Sequence, residues 1–487
     1  MNIRELRRLI WVVLFAVVTI TVGHAGQPNI ILVMADDVSP EMFGCYGSQD
    51  AKTPNLDRMA SQGVMFKSAW GSALCCPARA QIMTGCYATQ TGFWSNGFSI
   101  PQSDGSNNLF RHYSSFGKLM QDAGYTTAVA GKWHIGGAEP PHAKHVGFDE
   151  YCLWEGPKEL SRLPDSPTHR GAWEDESTPS RYWHPCVVQN GRLVPTKKDD
   201  YGPDVFTDFL CDFMERSVKS GKPFLAYYPM VAPHGTRKGS PSTPKYGERG
   251  YLGGNKENNR SHFRALNDYI DVLVGRLEEK AKALGVMDNT VIIFCSDNGT
   301  ASIAKSRGTE RGCRIPLIVY GSGIKKRGAS DEIADLSDIL PSLVDFAGKK
   351  LPESMPIDGK SLKPFLTGES TKHREYIFAC IGSTRLVRSR THLLEVVNPI
   401  LGIAEGRFYY CANKHDGRGY KRIDSDPEHR QVRRQFSQIL DKYPGLTKQH
   451  PYFQTKKGKR FLELYTKPKA VQKHLHNHKD YQFYDEI

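Results

Sequence analysis

The chain contains 487 residues, of which 39% are hydrophobic and 24% are charged, and this composition excludes a disordered or fibrous chain. The length exceeds that of one ordinary domain, so it predicts one large domain and a smaller one. The formal net charge of +13 favours anionic partners such as nucleic acid, phospholipid or acidic polysaccharide, without choosing among them.

The N-terminus has the pattern of a secretory signal peptide. Arg4, Arg7 and Arg8 precede an apolar run, LIWVVLFAVVTITVG, and small residues then lead to Ala25. We therefore predict a signal peptide over residues 1–25, and the alternative is an uncleaved anchor, for which the run is short. The mature protein is expected to be exported, to the periplasm or the extracellular space, and not to span the membrane after signal cleavage.

Strand and helix patterns alternate through the first part of the chain. Apolar positions at helical spacing, such as Phe206, Phe209 and Phe213, identify the helices, and short runs of aliphatic residues identify the strands. In chain order we predict a strand at 29–37, a helix and then a strand within 114–134, a helix capped by Asp204, a strand at 223–235, a helix at about 263–284 and a strand at 290–299. This alternation predicts an α/β fold, with a large mixed, mostly parallel sheet sandwiched by helices.

The remaining segments divide the chain further. Long polar stretches at 137–203 and 235–262 are interpreted as loops that wall a substrate cleft. The alternation stops after about 375, where hairpin patterns and a closing helix at 426–443 predict a smaller C-terminal antiparallel-sheet subdomain. The predicted domains are thus a catalytic domain at 26–375 and a C-terminal subdomain with a basic tail at 376–487.

Polar residues, most of them titratable, stand at the ends of four of the predicted strands. They are Asp36 and Asp37, then Lys132 with His134, then His234, and finally Asp297 with Asn298. Because ligands of parallel sheets gather beyond the carboxyl ends of the strands, these residues predict one shared site. Taken singly, each also fits a solvated strand end, a surface lysine or a loop histidine.

The eleven cysteines show no repeated spacing, no CxxC motif and no zinc-finger pattern. Disulfides are possible in an exported chain, but the sequence does not pair them. Cys75 and Cys76 stand apart from the others because they open the segment CCPARAQIMTG, in which a helix pattern begins.

This segment resembles the signature of the type I sulfatases of the alkaline phosphatase superfamily, Cys-x-Pro-Ser/Ala-Arg followed by Thr-Gly. Other segments resemble that family in the same order over about residues 27–368, namely PNIILVMADD, TPNLDRMASQGVMF, GYTTAVAGKWHIG, APHG, FCSDNG and KSRGTERGCRIPLIVYG. The resemblance implies a sulfuric ester hydrolase similar to the arylsulfatases. Ala78 takes the place of the family serine, and the part after Lys305 lacks the aromatic residue and one glycine of the family pattern.

The resemblance further implies that Cys75 is converted to formylglycine by a formylglycine-generating or sulfatase-maturating enzyme, while Cys76 is the free middle position. The hydrated aldehyde offers a hydroxyl that attacks sulfur as a nucleophile. A serine would stay trapped as a stable sulfate ester. The expected substrate is a sulfated sugar or polysaccharide.

Family correspondence assigns the other site residues. Arg79 is expected to hold the formylglycine, and Lys132 and Lys305 to clamp the sulfate oxygens. His134 is expected to act as the base, and His234 to hydrogen-bond the sulfate or protonate the leaving alcohol. The expected metal ligands are Asp36, Asp37, Cys75, Asp297 and Asn298. Oxygen ligands suit a hard ion, and so many protein oxygens favour one Ca²⁺ per chain over Mg²⁺.

Two other functions stay open at this stage. The superfamily includes phosphonate and phosphate monoester hydrolases that can share the modified cysteine, and a non-catalytic glycan-binding relative is the alternative from another class. A nucleic-acid partner is not expected, because the chain is predicted to be exported and contains no recognition motif.

Overall fold

The computed structural model describes residues 26–96, 98–99, 108–135, 142–154, 180–236, 240–251, 256–301 and 303–466. The predicted signal peptide at 1–25 lies outside the described residues, as does most of the basic tail. Within the described ranges, no helix is both long and apolar enough to cross a membrane.

The described residues form strands and helices in close succession. In chain order the strands are β1 (Asn29–Ala35), β2 (Val64–Trp70), β3 (Phe93–Ser95), β4 (Phe98–Ser99), β5 (Thr126–Lys132), β6 (Glu150–Trp154), β7 (Val187–Gln189), β8 (Arg192–Leu193), β9 (Phe224–Pro229), β10 (Pro241–Thr243), β11 (Tyr246–Tyr251), β12 (Thr290–Ser296), β13 (Arg314–Ile315), β14 (Leu317–Gly321), β15 (Gly328–Asp335), β16 (Ile377–Ile381), β17 (Thr384–Arg388), β18 (His392–Val397), β19 (Arg407–Tyr410) and β20 (Lys421–Arg422). The α-helices are α1 (Pro54–Gln62), α2 (Cys75–Thr84), α3 (Ala88–Thr91), α4 (Phe116–Asp122), α5 (His142–His145), α6 (Gly202–Lys219), α7 (Lys256–Ala283), α8 (Glu310–Cys313), α9 (Ile339–Phe346), α10 (Lys363–Leu366), α11 (Arg430–Lys442) and α12 (Lys456–Thr466).

The large sheet has a parallel centre and antiparallel flanks. Strands β12, β1, β9, β5 and β6 lie side by side and are all parallel. Strand β14 adds to one edge and β7 to the other, each antiparallel to its neighbour. The predicted fold class is confirmed, and the strands whose ends carry titratable residues are adjacent in the sheet.

Both faces of this sheet are buried, which explains the continuous apolar runs of its central strands. Along β1, Ile30, Leu32 and Met34 face one side and pack with residues of α2 and α9. The alternate residues of β1 face the other side and pack with α6 and α7. The sheet is therefore held between two layers of helices.

The C-terminal region contains a separate five-stranded antiparallel sheet in the order β16-β17-β18-β19-β20. It includes the hairpins predicted from sequence, and α11 packs on it through Phe436 and Leu440. Tyr87 and Trp94 of the catalytic region belong to the same hydrophobic cluster. The small sheet thus rests directly on the segment that follows α2.

Two local predictions were wrong. Asp204 does not cap its helix, because α6 begins at Gly202 with Pro203 in the first turn, where proline is favoured. The Asp204 carboxylate instead accepts hydrogen bonds from Tyr269 and Arg276. The stretches 137–203 and 235–262 are not simply loops. In the first, β6, β7 and β8 extend the large sheet, and in the second, β10 pairs with β11 and α7 begins.

All eleven cysteines lie in the described part of the chain, and all are free thiols. Cys295 is fully buried within β12, as its apolar surroundings predict.

A buried ion-pair network beside α2 generates a prediction about stability. Arg374 Nη1 lies 2.5 Å from Asp335 Oδ2 and 3.2 Å from Asp338 Oδ1, and both aspartates are fully buried. We expect Arg374→Met to lower the free energy of unfolding by about 3–5 kcal/mol, because it leaves buried carboxylates without their cation. Chemical denaturation measures this change.

The matched control is Arg418→Met, which removes an exposed pair with Asp416 at 3.9 Å. Exposed pairs contribute about 0–1 kcal/mol, so this variant should unfold almost as the parent does. Equal losses in the two variants would contradict the assignment of the Arg374 network as a stabilising element.

Candidate active site

The central parallel strands bring the titratable residues predicted from sequence to one edge of the sheet. Asp36 and Asp37 follow β1, Asp297 and Asn298 follow β12, and both pairs are fully buried. The two strands are parallel neighbours in register, with Ala35 opposite Ser296. The two pairs of polar residues therefore lie side by side at the carboxyl end of the sheet.

Cys75 occupies the first position of α2, and its side chain is fully buried. Its Sγ lies 3.4 Å from Asp36 Oδ1 and 3.5 Å from Asp37 Oδ1. Burial raises the pKa of the Cys75 thiol well above its ordinary value against the opposing positive charge of Lys132, and the nearby carboxylates act in the same direction as burial. The N-terminal end of α2, where free N–H groups favour negative charge, thus points into the acidic cluster.

Three cations lie against the three carboxylates. Lys132 Nζ is 2.6 Å from Asp36 Oδ2, and Lys305 Nζ is 2.6 Å from Asp37 Oδ2. Arg79 Nη2 is 3.2 Å from Asp297 Oδ2. The guanidinium of Arg79 also donates to the Lys132 carbonyl at 2.8 Å, so it links α2 to β5.

The carboxylates respond to this charge in opposite directions. Burial disfavours the charge of Asp36, but the positive charges of Lys132 and Arg79, together with the neighbouring His234, outweigh it and hold the pKa of Asp36 well below its ordinary value. Burial and the negative charge of Asp36 together raise the pKa of Asp297 to about 7.

Asn298 supplies a buried oxygen that no other group uses. Its amide nitrogen donates to Asp37 Oδ1 at 2.7 Å and to the Gly299 carbonyl at 2.9 Å, which fixes the orientation of the amide. Its Oδ1 is buried without a hydrogen-bond partner in the described structure. An orphaned buried acceptor beside carboxylates is a fitting ligand for a hard cation.

His234 lies on the opposite side of the same cluster. Its Nε2 is 3.3 Å from both Asp37 Oδ2 and Lys305 Nζ, while its Nδ1 is 2.6 Å from the Gly235 carbonyl. Ligand atoms of Asp36, Asp37, Cys75 and His234 all lie within 4.8 Å of one another, a spacing that could hold a metal ion. Burial lowers the pKa of His234 to about 4 against the opposing charge of Asp36.

Comparison with known proteins identifies this arrangement. Residues 28–349 match the family model described as Sulfatase, which is well over half of the chain. The chain belongs to the sulfatase family. It is a sulfuric ester hydrolase, which confirms the family and the enzyme class predicted from sequence.

Curated relatives and a solved structure agree with this assignment. The chain is 28% identical over 400 residues to N-acetylgalactosamine-6-sulfatase of Canis lupus familiaris, covering 76% of this chain and 72% of that protein. It is 29% identical over 380 residues to arylsulfatase A of Homo sapiens, covering 73% and 70%. The crystal structure of Ps i-CgsB in complex with k-i-k-neocarrahexaose shares the fold, with a TM-score of 0.71 and 23% identity over 92% of this chain and 99% of that one.

His134 is the residue that the structure brings into the sulfatase site least directly. Its imidazole is exposed and makes no hydrogen bond or ion pair with another described residue. Crowding by protein, followed by the charges of Lys132 and Arg79, lowers the pKa of His134 below its ordinary value. Its carbonyl accepts the S–H of Cys76 at 3.0 Å. The role of His134 as a base remains a prediction.

Three of the seven non-glycine residues with positive φ among the described residues lie at the sulfatase site. Asp37, His134 and Ser306 are non-glycine residues with positive φ angles of 68°, 52° and 65°. Such conformations cost about 1–3 kcal/mol each and persist only where the surroundings enforce them. The family resemblance assigns Asp37 and His134 to the site, and Ser306 directly follows Lys305, which it also assigns.

Sequence reasoning missed two polar contacts of this site. Arg181 Nη1 lies 3.5 Å from His234 Nδ1, and its guanidinium lies 4.2 Å from the ring centre of Trp154. Asn96 accepts the backbone N–H of Cys76 at 2.9 Å. Neither residue belongs to a motif, and both are brought in by segments remote from the strand ends.

A second constellation has the hydrogen bonds of a serine triad but no access to substrate. Ser68 Oγ is 2.7 Å from His415 Nδ1, and His415 Nε2 is 3.0 Å from Asp331 Oδ1. Ser68 is fully buried inside β2, so its hydroxyl cannot reach an external ester. This group joins β2 and β15 to the C-terminal region and has no catalytic geometry.

The neighbouring cysteines generate a kinetic prediction. We expect Cys75→Ala to lower kcat/KM by roughly 10⁴-fold or more, since it removes the only side chain of α2 that meets both aspartates. Cys76→Ala is the matched control, because the thiol of Cys76 donates a weak hydrogen bond to the His134 carbonyl, worth at most about 1 kcal/mol. Steady-state hydrolysis of an aryl sulfate measures both variants, and the reverse order of activities would show that the nucleophile was misassigned.

Proposed function

We propose that this sulfatase hydrolyses sulfate esters of a sulfated sugar or polysaccharide through a formylglycine made from Cys75. One observation carries the proposal, namely the position of Cys75 at the first turn of a buried helix, between the carboxylates of Asp36 and Asp37. The name of the N-acetylgalactosamine-6-sulfatase relative supports a sugar substrate. The net charge of +13 suits a polyanionic one.

Formylglycine chemistry explains why a cysteine stands at this position. The Sγ of Cys75 occupies the place that the oxygens of the hydrated aldehyde would take. One hydroxyl of that diol attacks the sulfur of the ester, and the S–O bond to the alcohol breaks. A base then removes the proton of the second hydroxyl, the C=O bond forms again, and the C–O bond to sulfate breaks. Water hydrates the aldehyde for the next cycle.

The surrounding side chains supply charge and protons for these steps. Lys132 and Lys305 are each 2.6 Å from a carboxylate and flank Cys75, so they can clamp the sulfate oxygens. Arg79, anchored on Asp297, holds the modified side chain. His234 is placed to hydrogen-bond the sulfate or to pass a proton to the leaving alcohol. His134 at the exposed edge is the proposed base for the diol.

The donor set fits a divalent cation. Asp36, Asp37, Asp297 and the orphaned Oδ1 of Asn298 would hold it, together with the modified Cys75. These are oxygen ligands once the thiol has been replaced, and so many protein oxygens favour Ca²⁺ over Mg²⁺. When bound, the ion lowers the pKa of the diol and neutralises the sulfate.

The proposal includes export and maturation. The N-terminal pattern of residues 1–25 supports secretion to the periplasm or the extracellular space. Conversion of Cys75 requires a formylglycine-generating or sulfatase-maturating enzyme as a partner. Because Cys75 is fully buried in the folded chain, this partner must act before α2 packs against the sheet.

A substrate panel tests the proposed function. Protein matured in its own host is first examined by peptide mass spectrometry, where we expect an aldehyde at position 75. The same sample is then offered sulfated monosaccharides, sulfated oligosaccharides, an aryl sulfate and an aryl phosphonate monoester. Sulfate released from the sulfate esters is measured by ion chromatography, and the phenol released from the aryl phosphonate by absorbance. We expect sulfated sugars to be turned over faster than the phosphonate.

Other results would point elsewhere. Preferred turnover of the phosphonate would favour a phosphonate or phosphate monoester hydrolase. Sugar binding with an unmodified thiol and no turnover would favour a non-catalytic glycan-binding protein. Full-speed sulfate release from protein that still carries sulfur at position 75 would overturn the formylglycine proposal.

Removal of metal tests the cation site. We expect chelation to abolish turnover, and Ca²⁺ to restore it at a lower concentration than Mg²⁺. Asn298→Ala removes one buried oxygen and should weaken Ca²⁺ binding, measured by calorimetry, by roughly 10-fold or more. Asn289→Ala, at the other end of β12, is the matched control and should bind Ca²⁺ as the parent does. Unchanged turnover by metal-free protein would contradict the site.

A further inference from the structure

A buried ion pair joins the small C-terminal sheet to the segment that carries Lys305. Glu310 begins α8, five residues after Lys305, and Arg388 ends β17. Arg388 Nη1 lies 2.5 Å from Glu310 Oε1, and the two side chains are 0% and 2% exposed. The pair therefore connects the C-terminal sheet to α8 through the protein interior.

Further hydrogen bonds fix both members of the pair. Tyr420 donates to Glu310 Oε2 at 2.7 Å, and the indole of Trp70 donates to Oε1 at 3.4 Å. Arg388 Nη2 donates to the Lys414 carbonyl at 2.6 Å. A buried ion pair with such additional bonds has a defined geometry, and loss of one member leaves an uncompensated charge.

The backbone of the segment is attached to the active site on two sides. The N–H of Ser306 donates to the carbonyl of Ala73 at 2.8 Å, two residues before Cys75. The N–H of Gly299 donates to the carbonyl of Gly312 at 3.0 Å, directly after Asn298. The segment from Lys305 to Gly312 is thus held between the nucleophile helix and the carboxyl end of β12.

Ser306 also has a positive φ of 65°, which a serine adopts only where its surroundings enforce it. The hydrogen bond to Ala73 fixes one side of this residue. Glu310, bound to Arg388, fixes the other. Lys305 lies immediately beside the strained residue, and the backbone from Ser306 to Glu310 is the route that joins the ion pair to the ammonium group that contacts Asp37.

We propose that Arg388 and Glu310 are positioning residues, through which the C-terminal sheet holds Lys305 at the sulfate site. The inference rests on the proposed role of Lys305 in clamping sulfate. It assigns the C-terminal sheet a part in turnover that is separate from any contact with the sugar.

A double-mutant cycle tests this coupling on the full-length, matured enzyme. Lys305→Ala should lower kcat/KM by roughly 10²- to 10³-fold through loss of a positioned charge. Arg388→Met should lower it by roughly 10- to 10²-fold, because a displacement of about 1 Å has effects of that size. The double variant should be no more than about threefold below Lys305→Ala, since the second change then has nothing left to displace.

Arg385→Met is the matched control on the same strand. Arg385 donates to the carbonyls of Leu440 and Tyr443 at 2.7 and 3.2 Å and does not contact the Lys305 segment. We expect a small effect on kcat/KM that is the same with Lys305 and with Lys305→Ala. If Arg388→Met prevents folding, Tyr420→Phe removes one bond to Glu310 and should show the same coupling on a smaller scale.

Hydrogen exchange gives a readout independent of turnover. The amide of Ser306 should exchange faster in Arg388→Met than in the parent, and at the parental rate in Arg385→Met. If Arg388→Met lowers kcat/KM by the same factor in the parent and in Lys305→Ala, the inference is overturned while the proposed function stays intact. Full kcat/KM in Lys305→Ala would instead overturn the sulfate role of Lys305, and the inference with it.

Discussion

The active site depends on the burial of three carboxylates at the ends of two neighbouring parallel strands. Asp36, Asp37 and Asp297 are fully removed from water and repel one another. Such a cluster is stable only if positive charge lies equally close, because buried charges must be paired. Arg79, Lys132 and Lys305 provide it here, in contacts of 2.6 to 3.2 Å. Two of these cations, Lys132 and Lys305, are also proposed to act on sulfate, and Arg79 is proposed to hold the modified side chain.

This constraint accounts for the many buried polar contacts that fix the surrounding structure. The nucleophile helix α2 is buried along its whole length, and Arg79 on it contacts both β5 and the end of β12. Asp335 in turn accepts hydrogen bonds from Gln81 of α2 and from Tyr87. Charged groups displaced by even a fraction of an ångström would lose their partners in a medium of low polarity. The C-terminal sheet contributes to the same end through Glu310 and Arg388.

Sequence patterns predicted the central strands of the large sheet well and the strands towards its edge poorly. Continuous apolar runs identified β1, β5, β9 and β12 because parallel strands buried on both faces consist of such runs. The short strands β6, β7 and β8 were taken for loop because they are brief and partly polar. The false cap at Asp204 arose because an acidic residue in the first turn of a helix resembles a cap in sequence. Its true partners, Tyr269 and Arg276, lie on another helix.

The sequence by itself determined the sulfatase family, the alternation of strands and helices, and the residues that follow each strand, since these depend on local spacing and on motif order. Only the tertiary structure decided which of those residues meet. It left the imidazole of His134 without a partner among the described residues, left the Asn298 oxygen unpaired, and brought Arg181 beside His234. It also buried Glu310 against Arg388, 78 residues away in the chain. Contacts across such separations follow from sheet order and helix packing, which no local pattern of residues encodes.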